Sequence, residues 1–155
     1  MRLRNDERGI ALPLAMFVLI VIGALVVGSF FTARLEQQSG RNTLFAAQAR
    51  EAAEAGLSQA LAALQADTLE AIAIGELPLS LGAVNLNNGA GASRDIRRLT
   101  GALFLIRAQG WRQSAGGMVL ATRSLGAVVQ LVPVTGAVSG GVQLRLAERG
   151  WFSLY

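Results

Sequence analysis

The chain contains no cysteine, no histidine and no lysine. Without cysteine, disulfides, zinc–thiolate sites and thiol catalysis are excluded. Without histidine, the commonest general base and the commonest metal ligand are both missing. Enzymes work without either residue, but nothing here takes their place. No carboxylate pair, metal cluster or nucleophile–base pairing stands out, so neither a catalytic role nor a cofactor is expected. The net charge of +4 is carried by arginine alone, interspersed with Asp and Glu. A nucleic-acid partner is left open but unsupported, because that reading needs a basic stripe. At 155 residues there is room for one modest soluble domain.

What the chain does have is one long uncharged run. From Ile10 to Phe31, IALPLAMFVLIVIGALVVGSFF has 22 residues and a single hydroxyl, Ser29. A helix rising 1.5 Å per residue over that length crosses a hydrocarbon core of roughly 30 Å. The run is longer than the roughly 7–15 apolar residues of a secretory signal, and a buried core helix is rarely apolar on every face. Arg2, Arg4 and Arg8 precede it, and Arg34 and Arg41 follow at wider spacing. Positive residues stay cytoplasmic, so the N-terminus is expected inside and the C-terminal bulk outside. Pro13 is expected in the first helical turn, where its missing N–H costs nothing. Gly23 and Gly28 leave flat spots at which another helix can pack closely, although glycine is common in membrane helices in any case.

Beyond Phe31 the polarity changes while the helical character persists. TARLEQQSGRNTLFAAQAREAAEAGLSQALAALQAD is rich in Ala, Leu, Gln, Glu and Arg, all good helix formers. An apolar stripe runs through Leu35, Leu44, Ala46, Ala47, Ala53, Leu57, Leu61 and Leu64. Gly40 and Gly56 weaken this helix, each by about 1 kcal/mol relative to alanine. Continuous from Pro13 to Asp67, it would extend about 80 Å, half of it in lipid.

From Thr68 to Arg98 the pattern is irregular, with Gly75, Pro78, Gly82 and the run Asn85 to Gly91 reading as loop and Asn88-Gly89 as a tight turn. No GK[ST] follows the glycines, so a phosphate-binding loop is not supported. Strand character returns at Leu103 to Trp111 and at Met118 to Val132, with a third segment at Gly141 to Ala147. A sheet of about three antiparallel strands packed on the outer half of the helix is expected. Trp111 is placed in the core. Trp151, Phe152 and Tyr155 are placed against the sheet or a partner subunit. Arg94, Arg97 and Arg98 form the densest basic cluster, read as solvated surface, with contact to DNA or a partner protein as the alternative.

Three of these pieces stand in a familiar order. Arg8-Gly9 ends a short charged leader, the apolar run Ile10 to Phe31 follows at once, and Ala52-Ala53-Glu54-Ala55-Gly56-Leu57 comes some forty residues later. Together they resemble type IV pilins and pseudopilins, most closely the PilX-type minor pilins with their A-x-E-A-G-L box. The resemblance covers about residues 4–64. It implies cleavage by a prepilin peptidase between Gly9 and Ile10, methylation of the new N-terminus, and an inner-membrane stage before assembly. The implied partners are other pilin subunits and the inner-membrane assembly platform, with the outer domain in the periplasm or on an extracellular filament. Major pilins carry a glutamate at the fifth mature position, which pairs with a neighbour's terminal amine; here that position is Leu14. The departure points away from a bulk subunit and toward an initiating, tip or low-abundance role.

The expected fold class is therefore α+β and pilin-like. Its expected parts are a leader at 1–9, a membrane-spanning half-helix at 10–31, an amphipathic half at 32–67, a loop region at 68–102 and a small β-sheet domain at 103–155. The alternative is an uncleaved, single-pass signal-anchored protein of the periplasm or cell surface, whose outer domain binds a ligand or DNA.

Overall fold

A computed structural model describes residues 7–64, 69–133 and 142–154. One helix, α1 (Glu7–Ala63), is followed by five strands: β1 (Leu79–Asn85), β2 (Ala90–Arg98), β3 (Leu103–Gln113), β4 (Val119–Pro133) and β5 (Val142–Leu154). The chain divides into two compact units, residues 1–41 and 42–155. The described residues of unit 1, 7–41, are all part of α1.

In unit 2 the end of α1 packs on an antiparallel sheet of order β1-β2-β3-β4-β5, in which every strand pairs with its neighbour in sequence. The fold is α+β, as expected. The expected helix end at Asp67 falls outside the described residues.

The helix lies on the sheet through small side chains. Ala49, Ala52, Ala53, Leu57 and Ala60 are buried on the helix, opposite Ala92, Ile96, Phe104, Ile106, Ala108, Leu125, Ala127 and Val129. Period-two alternation puts Phe104, Ile106, Ala108 and Gly110 on this inner face of β3, as their sequence spacing predicts. A methyl added to Gly110 would collide with the Ala49 carbonyl oxygen and the Ala53 amide nitrogen, so the helix backbone rests directly on β3 at this point. Leu57 and Phe104 have no exposed surface, and burial of such side chains contributes about 1.5–3 kcal/mol each. Leu69 and Ile72, in the connection after the helix, are buried in the same core.

The stripe predicted along the helix is only partly used. Leu35, Leu44 and Ala47 are exposed, and burial begins at Ala49. Alanine carries little hydropathy, so the leucines dominated the pattern while alanines make the contact.

The expected loop region, 68–102, contains β1 and β2, and the sheet therefore has five strands where about three were expected. Asn88 and Gly89 turn the β1–β2 hairpin at φ 64° and 72°, in the left-handed region that Asn and Gly occupy most cheaply. Gly82, at φ 82°, follows a bulge at Leu81 in the edge strand β1. The β3–β4 hairpin closes at Ser114, whose N–H donates to the Met118 carbonyl at 2.9 Å. β5 begins at Val142 and runs on to Leu154, well past the predicted end at Ala147.

Trp111 is not in the helix–sheet core. It is half-buried on the outer face of the sheet, where its ring covers Gly91 of β2. Phe152 covers Gly126 across β4 and β5 in the same way. The side chain of Trp151, and Tyr155, lie outside the described residues.

Candidate functional site

The first part of α1 is apolar on all sides and exposed on all sides. Leu12, Phe17, Leu19, Ile20, Leu25, Val27, Phe30 and Phe31 are each more than 60% exposed. This is the one helix, among the described residues, long and apolar enough to cross a membrane, consistent with single-pass anchoring. The hydroxyl of the apolar run, Ser29, and that of Thr32 just beyond it find partners within the helix. Ser29 Oγ donates to the Leu25 carbonyl at 2.9 Å, and Thr32 Oγ1 donates to the Gly28 carbonyl at 3.1 Å. Such self-satisfaction is what a hydrocarbon environment requires of a polar side chain.

Residues Arg8, Gly9 and Ile10 are already helical, because α1 starts at Glu7. Pro13 consequently lies inside the helix, not in its first turn as predicted. It removes an internal hydrogen bond there, the one its N–H would have donated to the Gly9 carbonyl. Leu14 is 60% exposed. Methyl groups placed on Gly23, Gly28 or Gly40 would meet nothing within 4 Å, so all three leave open helix surface.

The Ala52–Leu57 box proves to be mainly a packing element. Ala52, Ala53, Gly56 and Leu57 are buried against the sheet and Ala55 is half-buried. Glu54 points outward, where its carboxylate accepts from Arg50 Nε at 2.9 Å. Helix spacing explains the split: positions 52, 53, 56 and 57 share one face, and 50 and 54 share another.

The basic cluster does not form one patch. Arg94 and Arg98 alternate with Ile96 on the inner side of β2, and Arg97 points to the opposite side. Arg94 Nη2 donates to the Leu81 carbonyl at 2.9 Å, while its buried Nε has no partner among the described residues. Arg98 donates to four backbone carbonyls, of Glu70, Ile72, Thr100 and Gly101, at 2.7–3.3 Å. Its guanidinium also lies 5.3 Å from the centre of the Phe104 ring. Of the three, Arg97 alone is an exposed cation.

Sequence reasoning missed a groove. Two adjoining hollows, of about 350 and 430 Å³, share Gln48, Asn88 and Arg112 as lining residues. Arg112 Nε donates to Gln48 Oε1 at 2.8 Å, and Nη1 donates to the Gln113 carbonyl at 2.9 Å. No spacing signal joins residues 48, 88 and 112, because only the fold brings them together. Among the described residues no group of three His, Cys, Asp or Glu side chains is placed to hold a metal ion.

Comparison of the chain with protein-family models, curated proteins and solved structures finds no match. The functional reading rests on the residues themselves.

Proposed function

We propose that this chain is a minor pilin or pseudopilin, cut by a prepilin peptidase between Gly9 and Ile10 and used in the assembly, initiation or tip of a type IV pilus-type filament. One observation carries the reading. A single helix starts beside Arg8-Gly9, runs through an exposed uncharged segment, and ends packed on a small antiparallel sheet. A filament subunit needs an apolar segment that passes from lipid into a bundle of equivalent helices, and this helix has that form. Lipid tails and neighbouring apolar helices are similar solvents for it, so transfer between them costs little.

Leu14 sets the kind of subunit. A glutamate at this depth would be costly unless paired, and leucine needs no pairing. That suits a subunit added once or rarely better than one repeated along the filament. The mechanism is then insertion, removal of the leader, methylation of Ile10 and extraction from the membrane with the assembly platform.

N-terminal sequencing of protein recovered from membranes tests the reading. A mature chain beginning at Ile10, and at Met1 when the peptidase is deleted, supports it. A chain beginning at Met1 in both strains overturns it. That outcome would favour the second reading, an uncleaved signal-anchored binding protein, for which the groove around Gln48, Asn88 and Arg112 supplies a site.

A further inference from the structure

Pro13 stands four residues after Gly9 inside a continuous helix. Two consequences of a proline at position i fall on the carbonyl of residue i−4: it loses its N–H partner, and the ring crowds it. Here that carbonyl belongs to Gly9, the acyl side of the Gly9–Ile10 bond. Gly9 is also the least helix-favouring residue available short of proline. The turn spanning residues 9–13 is therefore the weakest in the apolar half of α1, and its weakness centres on one peptide bond.

We infer that Pro13 is a specificity-determining residue for leader removal, acting by freeing the Gly9 carbonyl in the precursor helix. The inference rests on the processing reading given above. Hydrolysis adds the hydroxyl of water to the Gly9 carbonyl carbon, breaks the bond to the Ile10 nitrogen and leaves a Gly9 carboxylate and an Ile10 amine. A peptide bond locked into a helix is shielded from this attack by its hydrogen bonds and by the turns around it. At Gly9 the main lock is missing.

The proline also discriminates between precursor and product. In the intact chain α1 starts at Glu7, so Pro13 is internal and the helix lacks one bond. In a chain beginning at Ile10, Pro13 is the fourth residue, and the first four N–H groups of a helix have no intrahelical partner in any case. The penalty is thus present before the cut and absent after it. A proline from position 14 onward would burden both states equally, because its N–H would be bonded in either helix.

The test compares wild type, Pro13→Ala, Pro13→Leu and the double variant Pro13→Ala/Leu14→Pro. Each is pulse-labelled in cells that supply a prepilin peptidase, and the rate is read on the alkali-resistant, membrane-inserted fraction only. Wild type should convert to a chain beginning at Ile10. Both single variants should convert roughly fivefold or more slowly, the factor that one net hydrogen bond is worth. The double variant frees the Ile10 carbonyl instead, and should remain slow. Wild-type cleavage at Gly9 with equal rates in the single variants overturns this inference and leaves the processing reading standing. Wild-type speed in the double variant overturns it too, since any nearby proline would then suffice. A wild-type chain that keeps Met1 overturns both.

Discussion

Gly56 of α1 lies so close to Ala92 of β2 that a methyl group on Gly56 would stand 2.6 Å from the Ala92 Cβ. Ala108 Cβ and Arg94 Cγ would each lie 3.7 Å from the same methyl. The helix and sheet thus approach to the limit that their smallest side chains allow. Gly56→Ala should cost about 1–3 kcal/mol through overpacking, despite the better helix propensity of alanine. Adding Ala92→Gly should restore part of that loss, because the two positions share one space. Equilibrium unfolding of the full chain in detergent, followed by Trp fluorescence, measures both.

A harsher effect is expected at Gly110. The atoms that a side chain would meet there belong to the helix backbone at Ala49 and Ala53, which cannot rotate away. Gly110→Ala should destabilise by about 3 kcal/mol or more, at the upper end for overpacked cores. The same unfolding experiment checks it; a cost under that of Gly56→Ala would contradict the close backbone contact.

Arg98 gathers the connection after the helix and the β2–β3 loop onto one guanidinium. Arg98→Ala should lose about 2–3 kcal/mol, the scale for hydrogen bonds to a charged group. Lysine offers no planar fork and should recover less than half of it. Arg97→Ala, on an exposed neighbour, should stay within about 0.5 kcal/mol of wild type. Side-by-side thermal unfolding of the three variants separates clamp from surface charge.

The glutamate of the Ala52–Leu57 box is expected to be nearly dispensable for stability. Its ion pair with Arg50 is exposed on both sides, and such helical pairs are worth about 0.3–0.5 kcal/mol. Glu54→Ala should leave unfolding almost unchanged. If it nonetheless blocks filament assembly in cells, Glu54 meets another subunit.

These contrasts show which parts of the molecule sequence patterns reveal. β3 was legible because Phe104, Ile106 and Ala108 alternate with Leu105, Arg107 and Gln109. β2 was hidden because its inner face reads Ala92, Arg94, Ile96, Arg98, so charge interrupts the alternation. Those two arginines are tolerated on that face because Leu81, Glu70, Ile72, Thr100 and Gly101 offer them carbonyls. Carbonyls carry no sequence signature. β1 was hidden by Gly82 and by lying at the edge, where few of its side chains are buried. At the candidate site, the apolar span and the Arg8-Gly9 junction could be read directly from residue types. The groove at Gln48, Asn88 and Arg112 could not, since three distant segments must fold before it exists.

The sheet order β1-β2-β3-β4-β5 also bears on how the domain is made. Each strand pairs with the one just synthesised, so every hairpin closes a short loop and pays little chain entropy. The contacts that span the longest sequence separations are those between α1 and the inner face of β2 to β4. Hairpin formation is expected first and docking of the helix second, with Gly56 and Gly110 affecting the later step. In refolding kinetics, Gly56→Ala should therefore raise the unfolding rate more than it lowers the folding rate. Close-packed glycines would then act mainly as a brake on coming apart, holding the sheet to its helix under load.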